Sequence, residues 1–363
     1  MKICCFIDSL VSGGAQRQLV NISILLKKRG HDVSFLIYRK DLFYLHYLEE
    51  NNIKVTYISG DNYFLRIFNV RKFLKDYDGD FVISFLEVPN FIACFSAIGK
   101  RNWKLITNEL SAKESSFVTI RNKIYKWFER FSDWTVCNSE NALNLWKEYY
   151  PRYERKLSVI YNPIIIDNLK YIQHDNQSIK TIVIPASYQY LKNPIRVVEA
   201  VNNLDSKEKS ILRIHWFGRK EVTRGNTSAY DQTQELICKY GLENVVFLHE
   251  ETTRIFQEIE QSSAVGLFST VEGLPNAICE GMMLAKPILM SKVSDYEKLV
   301  TKDNGFLCDP LSISSITSSL KEFLATPNEE LLNMGNESKK IAMKLFDKDV
   351  IADAWELLLL SLK

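Results

Sequence analysis

The sequence predicts an α/β protein built from two Rossmann-like domains, each with a mostly parallel sheet. Three observations carry this. Short apolar runs alternate with stretches of helical spacing along the whole chain. The alternation is interrupted once, by a polar stretch from Asp167 to Ser178, and begins again at Thr181. The chain has 363 residues, more than one core of ordinary size organises. The predicted division is 1–166, 167–345 and a terminal segment 346–363.

In the first series, Ile3 to Ile7 reads as a buried strand and Asp8 to Gly14 as the loop after it. Ala15 to Lys28 carries Leu19, Ile22, Leu25 and Leu26 at helical spacing and stops at Arg29-Gly30. Val33 to Tyr38, Val55 to Ile58, Phe81 to Phe85, Leu105 to Asn108 and Trp134 to Cys137 follow as strands. In a parallel sheet ligands bind at the carboxyl ends of strands, so Glu87 and Glu109, each just past one, are candidate acceptor-side residues as well as plausible solvent-facing loop acids. The second series gives strands at Thr181 to Ile184, Leu212 to Phe217, Val245 to Leu248, Ala264 to Phe268 and Pro287 to Met290, with helical pieces between them. Asp349 to Leu362 reads as an amphipathic helix.

Composition narrows the function classes. Hydrophobic residues make up 46% and charged residues 25%, as in a soluble globular protein. The net charge of +2 is uneven: 24 Lys and Arg face 17 Asp and Glu through Ile165, and 22 face 27 beyond it, giving about +7 and −5. A basic excess this modest, offset by an acidic second half, argues against nucleic acid as a partner. Seven cysteines with no C-x-x-C pair argue for a reducing compartment, and five histidines with no H-E-x-x-H spacing give no expectation of a bound metal. No apolar stretch reaches the roughly 18 residues a membrane span needs, so a cytoplasmic protein is expected.

The stretch richest in chemistry is Val271-Glu272-Gly273-Leu274-Pro275-Asn276-Ala277-Ile278-Cys279-Glu280-Gly281, between the strand at Ala264 and the strand at Pro287. Pro275 fits the first turn of a helix, where its missing N–H costs nothing. The amides of Asn276, Ala277 and Ile278 would then point outward, an arrangement that binds phosphate. Read alone, the stretch is equally a helix start with acids that compensate its dipole. Glu272-Gly273-Leu274-Pro275-Asn276 with Glu280, Met282 and Pro287 resembles the E-G-x-P-N-x-x-x-E signature of retaining, GT-B-fold glycosyltransferases of family 4.

That resemblance implies two Rossmann-like domains facing across a cleft, with the terminal helix crossing back to the first. It also implies transfer of a sugar from a nucleotide diphosphate sugar, with no metal and no other cofactor. The amides from Asn276 to Ile278 would hold the diphosphate, Glu280 the ribose, and Glu272 the sugar hydroxyls. Ala186-Ser187-Tyr188-Gln189-Tyr190-Leu191-Lys192-Asn193-Pro194 is similar to the family's G-R-x-x-x-x-K-N-P; Lys192 would meet the diphosphate and share the catalytic role with Glu272, while Ser187 replaces the usual Arg. Ser12-Gly13-Gly14-Ala15-Gln16 resembles the opening G-G-A-E with Gln16 for the acid, so Gly13 and Gly14 join the donor-binding set. Leu157 to Ile164 resembles the family's interdomain V-I-x-N-P, and Gly305 to Pro310 its G-x-L-x-x-P. Many relatives carry His near the Glu87 position. The sequence shows no side-chain nucleophile, so a front-face route with the leaving phosphate assisting is the mechanism the family implies. A nucleotide-sugar epimerase or hydrolase of the same shape, and an inactive nucleotide-sugar binder, remain open.

A membrane role has its own residues. From Phe117 to Trp134 a predicted helix mixes Arg121, Lys123, Lys126 and Arg130 with Ile120, Ile124, Trp127, Phe128 and Phe131, and Lys100-Arg101-Asn102-Trp103-Lys104 repeats the mixture. Cations beside Trp and Phe suit an anionic membrane surface; they equally suit a core helix with a solvated basic face. With the positive first half and the resemblance to enzymes of surface polysaccharide (O-antigen or capsule) biosynthesis, the expectation is peripheral binding to the cytoplasmic face through Arg121, Lys123, Lys126 and Trp127, with a lipid-diphosphate-linked or other glycan as acceptor.

Overall fold

The computed structural model describes residues 1–60, 62–111, 114–166, 178–221 and 225–363, so most of the polar boundary stretch, 167–177, lies outside the described residues. The chain divides into two compact units, Met1–Ile165 with Phe346–Lys363, and Ile166–Leu345.

The sheet of the first unit has seven strands: β1 (Lys2–Phe6), β2 (Asp32–Ile37), β3 (Lys54–Tyr57), β4 (Phe81–Phe85), β5 (Lys104–Glu109), β6 (Trp134–Cys137) and β7 (Leu157–Val159). They are parallel throughout, in the order β3-β2-β1-β4-β5-β6-β7. The central strands are apolar on both faces, and Ile3 to Phe6 and Phe81 to Phe85 are buried along their length, as a sheet covered by helices on both sides requires. Ile3, Cys5, Ile7 and Ile83 pack on one face with Leu19, Ile22 and Leu26 of the helix Gly14–Lys28. Phe6, Val82 and Leu105 pack on the other with Val70 and Leu74 of the helix Tyr63–Lys75 and Ile92 and Ala93 of the helix Glu87–Ser96.

The last helix, Lys348–Leu362, belongs to this first unit. Ile351, Trp355, Leu358 and Leu359 enter the core beside Leu19 and Leu26, and Arg29 reaches Asp353 at 2.7 Å and Glu356 at 3.2 Å. His31 Nε2 lies 2.9 Å from the other Glu356 oxygen.

In the second unit β8 (Lys180–Pro185), β9 (Leu212–Phe217), β10 (Val246–His249), β11 (Ala264–Leu267), β12 (Ile288–Ser291) and β13 (Gly305–Cys308) form a parallel sheet in the order β10-β9-β8-β11-β12-β13. β9 alternates, with Leu212, Ile214 and Trp216 buried while Arg213, His215 and Phe217 are half-buried. β13 entered the sequence reading only as part of the motif Gly305 to Pro310.

Each sheet reverses its direction of growth at one place. In the first unit β1 has β2 on one side and β4 on the other; in the second β8 has β9 and β11. At such a switch point the two neighbouring carboxyl ends lead into helices on opposite faces and leave a crevice for ligands. The loops after β1 and β4, and those after β8 and β11, are therefore the positions to inspect.

Lysines and arginines close several helix ends in both units. Lys75 Nζ donates to the Ile98 and Lys100 carbonyls at 2.8 and 3.0 Å, and Arg71 to Ile98 at 3.3 Å. Lys180 donates to Phe323 and Leu324 at 3.1 and 2.9 Å, and Lys286 to Glu260 and Ser262 at 2.7 and 2.8 Å. Burial lowers the Lys286 ammonium to about 8. Terminal carbonyls lack partners within their own helix and carry the negative end of its dipole, so a cation there answers both.

Trp355 is 1% exposed and is the largest side chain the terminal helix contributes to the core. Trp355→Ala should destabilise the protein by about 3–5 kcal/mol in urea unfolding followed by circular dichroism; a change under about 1 kcal/mol would show that the helix does not hold the first core together.

Candidate functional site

The switch point of the second unit gathers Lys192, Glu272 and the start of the signature helix, residues for which the family resemblance implies donor binding. After β8 the chain makes a single turn of 3-10 helix, Tyr190–Lys192, and then enters the helix Pro194–Asn202 through Asn193. Asn193 sits at φ 68° and ψ 34°, the left-handed region that asparagine tolerates better than most residues. Its side chain holds the geometry: Nδ2 donates to the Phe268 carbonyl at 3.1 Å and to the Pro310 carbonyl at 2.7 Å, and Oδ1 accepts from Arg196 at 3.0 Å. The Thr270 amide donates to the Leu191 carbonyl at 2.8 Å and ties the two loops together.

This stitching brings Lys192 Nζ to 2.5 Å from Glu272 Oε1, with the side chains 19% and 12% exposed. The same carboxylate oxygen accepts from Ser269 Oγ at 2.6 Å. Ser269 is wholly buried, and its carbonyl accepts from Ser291 Oγ at 2.7 Å. The sequence singled out Lys192 and Glu272 separately; their contact, and the part of Ser269 in it, come from the fold. A hydroxyl three residues before a motif acid was the only signal for Ser269, and serines near loops are too common for it to speak.

The helix of the signature runs from Asn276 to Met283. Pro275 caps it from outside the first turn, at φ −78° and ψ 83°. One expectation is corrected here: the Ile278 amide is not directed outward, because it donates to the Pro275 carbonyl at 2.9 Å, where Cys279 also donates at 3.2 Å. The short 3-10 bond that tightens the first turn takes that donor. Ala277 and Asn276 occupy the start of the helix, and Glu280 lies on its buried side, 5% exposed. Gly281 explains the close seat of this helix on β11, since a Cβ there would come within 2.8 Å of Val265 Cβ. Ser294, at φ 57°, donates its hydroxyl to the Gly273 carbonyl and holds the turn between the two acids. Ser187 accepts from Gln189 Nε2 at 2.8 Å and contributes no charge.

At the switch point of the first unit, Gly13 is extended and Gly14 begins the helix Gly14–Lys28. A Cβ on residue 13 would lie 2.4 Å from Gln16 Oε1, a contact that a turn of the Gln16 side chain would relieve. Gln16 Nε2 then reaches Asp8 Oδ1 at 3.2 Å. Across the switch, Leu86 adopts φ 77° and ψ 151° and Glu87 opens the next helix. Burial, with Glu109 adding to it, pushes the Glu87 carboxyl above its ordinary range. Arg121 Nη2 lies 3.4 Å from it.

Further expectations are corrected in this unit. Glu109 does not face an open site: it is 5% exposed, forms an ion pair with Lys126, and accepts from the Ser111 amide at 3.0 Å. Lys126, expected at a membrane surface, is that buried partner, with its ammonium 4.9 Å from the ring centre of Phe117 and 4.4 Å from that of Trp146. Burial alone would lower its pKa; Glu109, Glu129 and Glu87 outweigh burial and raise it. The expected single helix is broken into Ser115–Val118, Ile120–Phe128 and the 3-10 turn Glu129–Phe131. Arg121, Lys123 and Trp127 remain exposed, with Ile120 82% exposed beside them. In the basic-aromatic stretch at Lys100, Trp103 is buried and Arg101 is spent on the Trp103 and Phe131 carbonyls at 2.7 and 3.1 Å, while Lys100 and Lys104 stay exposed.

Among the described residues no group of three or more His, Cys, Asp and Glu gathers as metal ligands, and no helix is long and apolar enough to cross a membrane. The cysteines are all free thiols, and Cys238 is exposed while the other six are buried.

Two parallel sheets of this order, each with a loaded switch point, define the GT-B class. Residues 12–168 match the family described as Glycosyltransferase Family 4, and residues 168–341 match Glycosyl transferases group 1. The chain belongs to these glycosyltransferases and is an enzyme of that kind. It is 26% identical over its full length, and 99% of the relative's, to a Campylobacter jejuni α-1,4-N-acetyl-D-galactosaminyltransferase named for GalNAc-alpha-(1->4)-GalNAc-alpha-(1->3)-diNAcBac-PP-undecaprenol. It is 20% identical, over 90% of both chains, to the amylovoran biosynthesis glycosyltransferase AmsD of Erwinia amylovora. Among solved structures, Anabaena HepE in complex with UDP superposes with a TM-score of 0.85 at 18% identity, covering 99% of this chain and 100% of that one. The lipopolysaccharide outer core galactosyltransferase WaaB gives 0.78 at 17% identity, with 99% of each chain covered.

Lys192→Ala should weaken donor binding or turnover at least about tenfold, the loss of a charge-assisted contact worth roughly 1.5–3 kcal/mol. Ser269→Ala should cost less, about 1 kcal/mol in kcat/KM, since it loosens Glu272 without removing it. Steady-state kinetics on folded variants check both, and wild-type values for Lys192→Ala would rule the site out.

Proposed function

We propose that this glycosyltransferase moves a sugar from a nucleotide diphosphate sugar to a hydroxyl of a lipid-diphosphate-linked glycan during assembly of a surface polysaccharide, with retention at the anomeric carbon and without a metal ion. The observation that carries the reading is the Lys192–Glu272 pair, backed by Ser269, at a switch point whose next helix begins at Asn276. Departure of a nucleoside diphosphate builds negative charge on its terminal phosphate, and a fixed ammonium with helix-end dipoles stabilises that charge most where water is scarce. On donor binding Lys192 exchanges Glu272 for diphosphate oxygens, which frees Glu272 to accept from sugar hydroxyls. Glu280 serves the ribose. Support for the donor comes from HepE, whose structures hold UDP and UDP-glucose. Support for the acceptor comes from the undecaprenyl-diphosphate glycan in the name of the Campylobacter relative, and for the polysaccharide role from AmsD.

Thermal shift with a panel of UDP-, GDP-, ADP- and dTDP-sugars tests the donor: one class should stabilise the protein by roughly 2.7 kcal/mol at about 100 times its dissociation constant. Transfer measured with that donor should survive EDTA. Stabilisation by none of them, or activity lost on chelation and restored by magnesium or manganese, would refute the corresponding part of the reading.

A lipid-linked acceptor would bring the first unit to a membrane surface, and the residues that favour such contact differ from those expected from the sequence. On the helix Ile120–Phe128, Ile120, Ile124 and Trp127 are exposed beside Lys123, and Arg130 lies 4.6 Å from the ring centre of Trp127. The helix Tyr63–Lys75 adds Tyr63, Phe64, Leu65 and Phe68, with Phe64 72% exposed. The two helices meet at Tyr63 and Tyr125, where burial first and then the neighbouring phenol push Tyr63 up to about 12. Exposed aromatic rings flanked by cations are suited to the headgroup region of an anionic bilayer. Lys126 has no part in this. In liposome flotation, binding should need anionic lipid, weaken with salt, and fall on Lys123→Glu with Arg130→Glu or on Phe64→Ser with Phe68→Ser. Equal recovery with neutral vesicles would remove the membrane from the proposal and leave the transfer reaction intact.

A further inference from the structure

The loop from Ala186 to Asn193, which carries Lys192, is held on two sides. Toward β11 it is tied by the Thr270 amide on the Leu191 carbonyl and by Asn193 on the Phe268 and Pro310 carbonyls. Toward β9 and β10 the bonds converge on Tyr188. Its amide donates to the Arg219 carbonyl at 3.0 Å. Its hydroxyl lies 2.8 Å from the carbonyl oxygens of both Trp216 in β9 and His249 in β10, which share its one hydrogen. β10 is the edge of the sheet and stands two strands from β8, so a single side chain spans from the Lys192 loop to that edge.

The seat of Tyr188 leaves it little freedom. It is 1% exposed, with its ring stacked on Trp216 at 6.0 Å between centroids and met edge-on by Tyr230 at 4.9 Å. Trp216 Nε1 donates to the Ala186 carbonyl at 2.6 Å, and a Cβ on residue 218 would come within 2.0 Å of the same oxygen, so only glycine lets the end of β9 approach the loop. Burial pushes the phenol well above its ordinary value, so the hydroxyl keeps its proton and remains a donor. From Tyr188 the link to Lys192 is short and bonded: the Lys192 amide donates to the Gln189 carbonyl at 2.9 Å and the Asn193 amide to the Tyr190 carbonyl at 3.0 Å. A shift of the ring therefore moves the turn that carries the ammonium. Fixed placement matters at that ammonium, since a charge stabilises a leaving group only to the extent that it is held in advance, and Ser187 beside it brings no second cation.

We propose that Tyr188 is a positioning residue for the donor: its hydroxyl, bonded to the Trp216 and His249 carbonyls, fixes the turn that sets Lys192 against the diphosphate. The proposal rests on the transferase reading and names a residue that acts through Lys192 without touching the donor. Isothermal titration with UDP, GDP, ADP and dTDP tests it on wild type, Tyr188→Phe, Lys192→Ala and the double variant. A nucleotide that binds wild type should bind Tyr188→Phe at least about threefold more weakly. Within Lys192→Ala the same substitution should change affinity less than about 1.5-fold, because the hydroxyl acts through the ammonium. Affinity equal to wild type in Tyr188→Phe, or the same loss in both backgrounds, overturns the proposal, whatever the melting temperature does; a purely structural tyrosine would lower the melting temperature alone. Hydrogen exchange on wild type gives a second reading that needs no variant: the Lys192 and Asn193 amides should be protected in the free protein and slow by less than about threefold on adding nucleotide. Protection that appears only with nucleotide overturns the proposal as well. A wild type that binds none of the four nucleotides removes the donor reading and this proposal together, whereas unchanged affinity in Tyr188→Phe removes the proposal alone.

Discussion

Lys192 and Glu272 are 80 residues apart in sequence and 2.5 Å apart in space, and the second unit is arranged around that contact. Each residue follows a strand beside the point where the sheet reverses, so parallel topology alone brings the two loops to one edge. The finer placement depends on Asn193, whose left-handed backbone turns Lys192 inward and whose side chain ties the loop to the Phe268 and Pro310 carbonyls. An ion pair this sheltered owes its worth to geometry and to the extra hydrogen bond from Ser269 more than to charge, because desolvation offsets much of the Coulomb gain. In the proposed exchange for a diphosphate, Lys192 would lose one anionic partner and gain another, and neither state would leave the ammonium without a counter-charge.

The first unit uses its charges differently. Its positive excess suggests a surface available to anions, yet several of those cations are engaged inside the fold. Arg71 and Lys75 close the carboxyl end of the Glu87 helix, Arg101 bonds two backbone carbonyls, and Lys126 sits under Phe117 and Trp146 against Glu109. Arg121, Lys123 and Arg130 are among the cations left at the surface, on or just after the helix that carries Ile120, Ile124 and Trp127. Net charge by sequence half overstates what a membrane or a substrate can meet, since a cation on a helix end or in a buried pair is already neutralised locally.

The same accounting separates the two acids of the first switch point. Both follow a strand of the same sheet, and spacing cannot rank them. Glu109 ends β5 with its side chain turned toward Lys126; Glu87 is carried across the Leu86 turn to the start of a helix. A strained residue persists only where the surrounding structure over-determines it, and here the surroundings are two strands and a helix that fix the direction of one carboxylate.

By itself the sequence determined the two α/β units, most of their strands, and the signature from Glu272 to Glu280, because each is a local property: alternation of apolar runs, or acids at fixed distance from Gly and Pro. Lys192 was legible for the same reason. Only the tertiary structure decided that the Ile278 amide is consumed by Pro275, that Lys126 is internal, that Ser269 supports Glu272, and that the helix Tyr63–Lys75 presents apolar residues to solvent as well as to the core. These are outcomes of which face of an element meets which other part of the chain. A helix with apolar residues all round has no period that names its buried side, and a polar side chain is spent or available according to partners that chain order does not reveal.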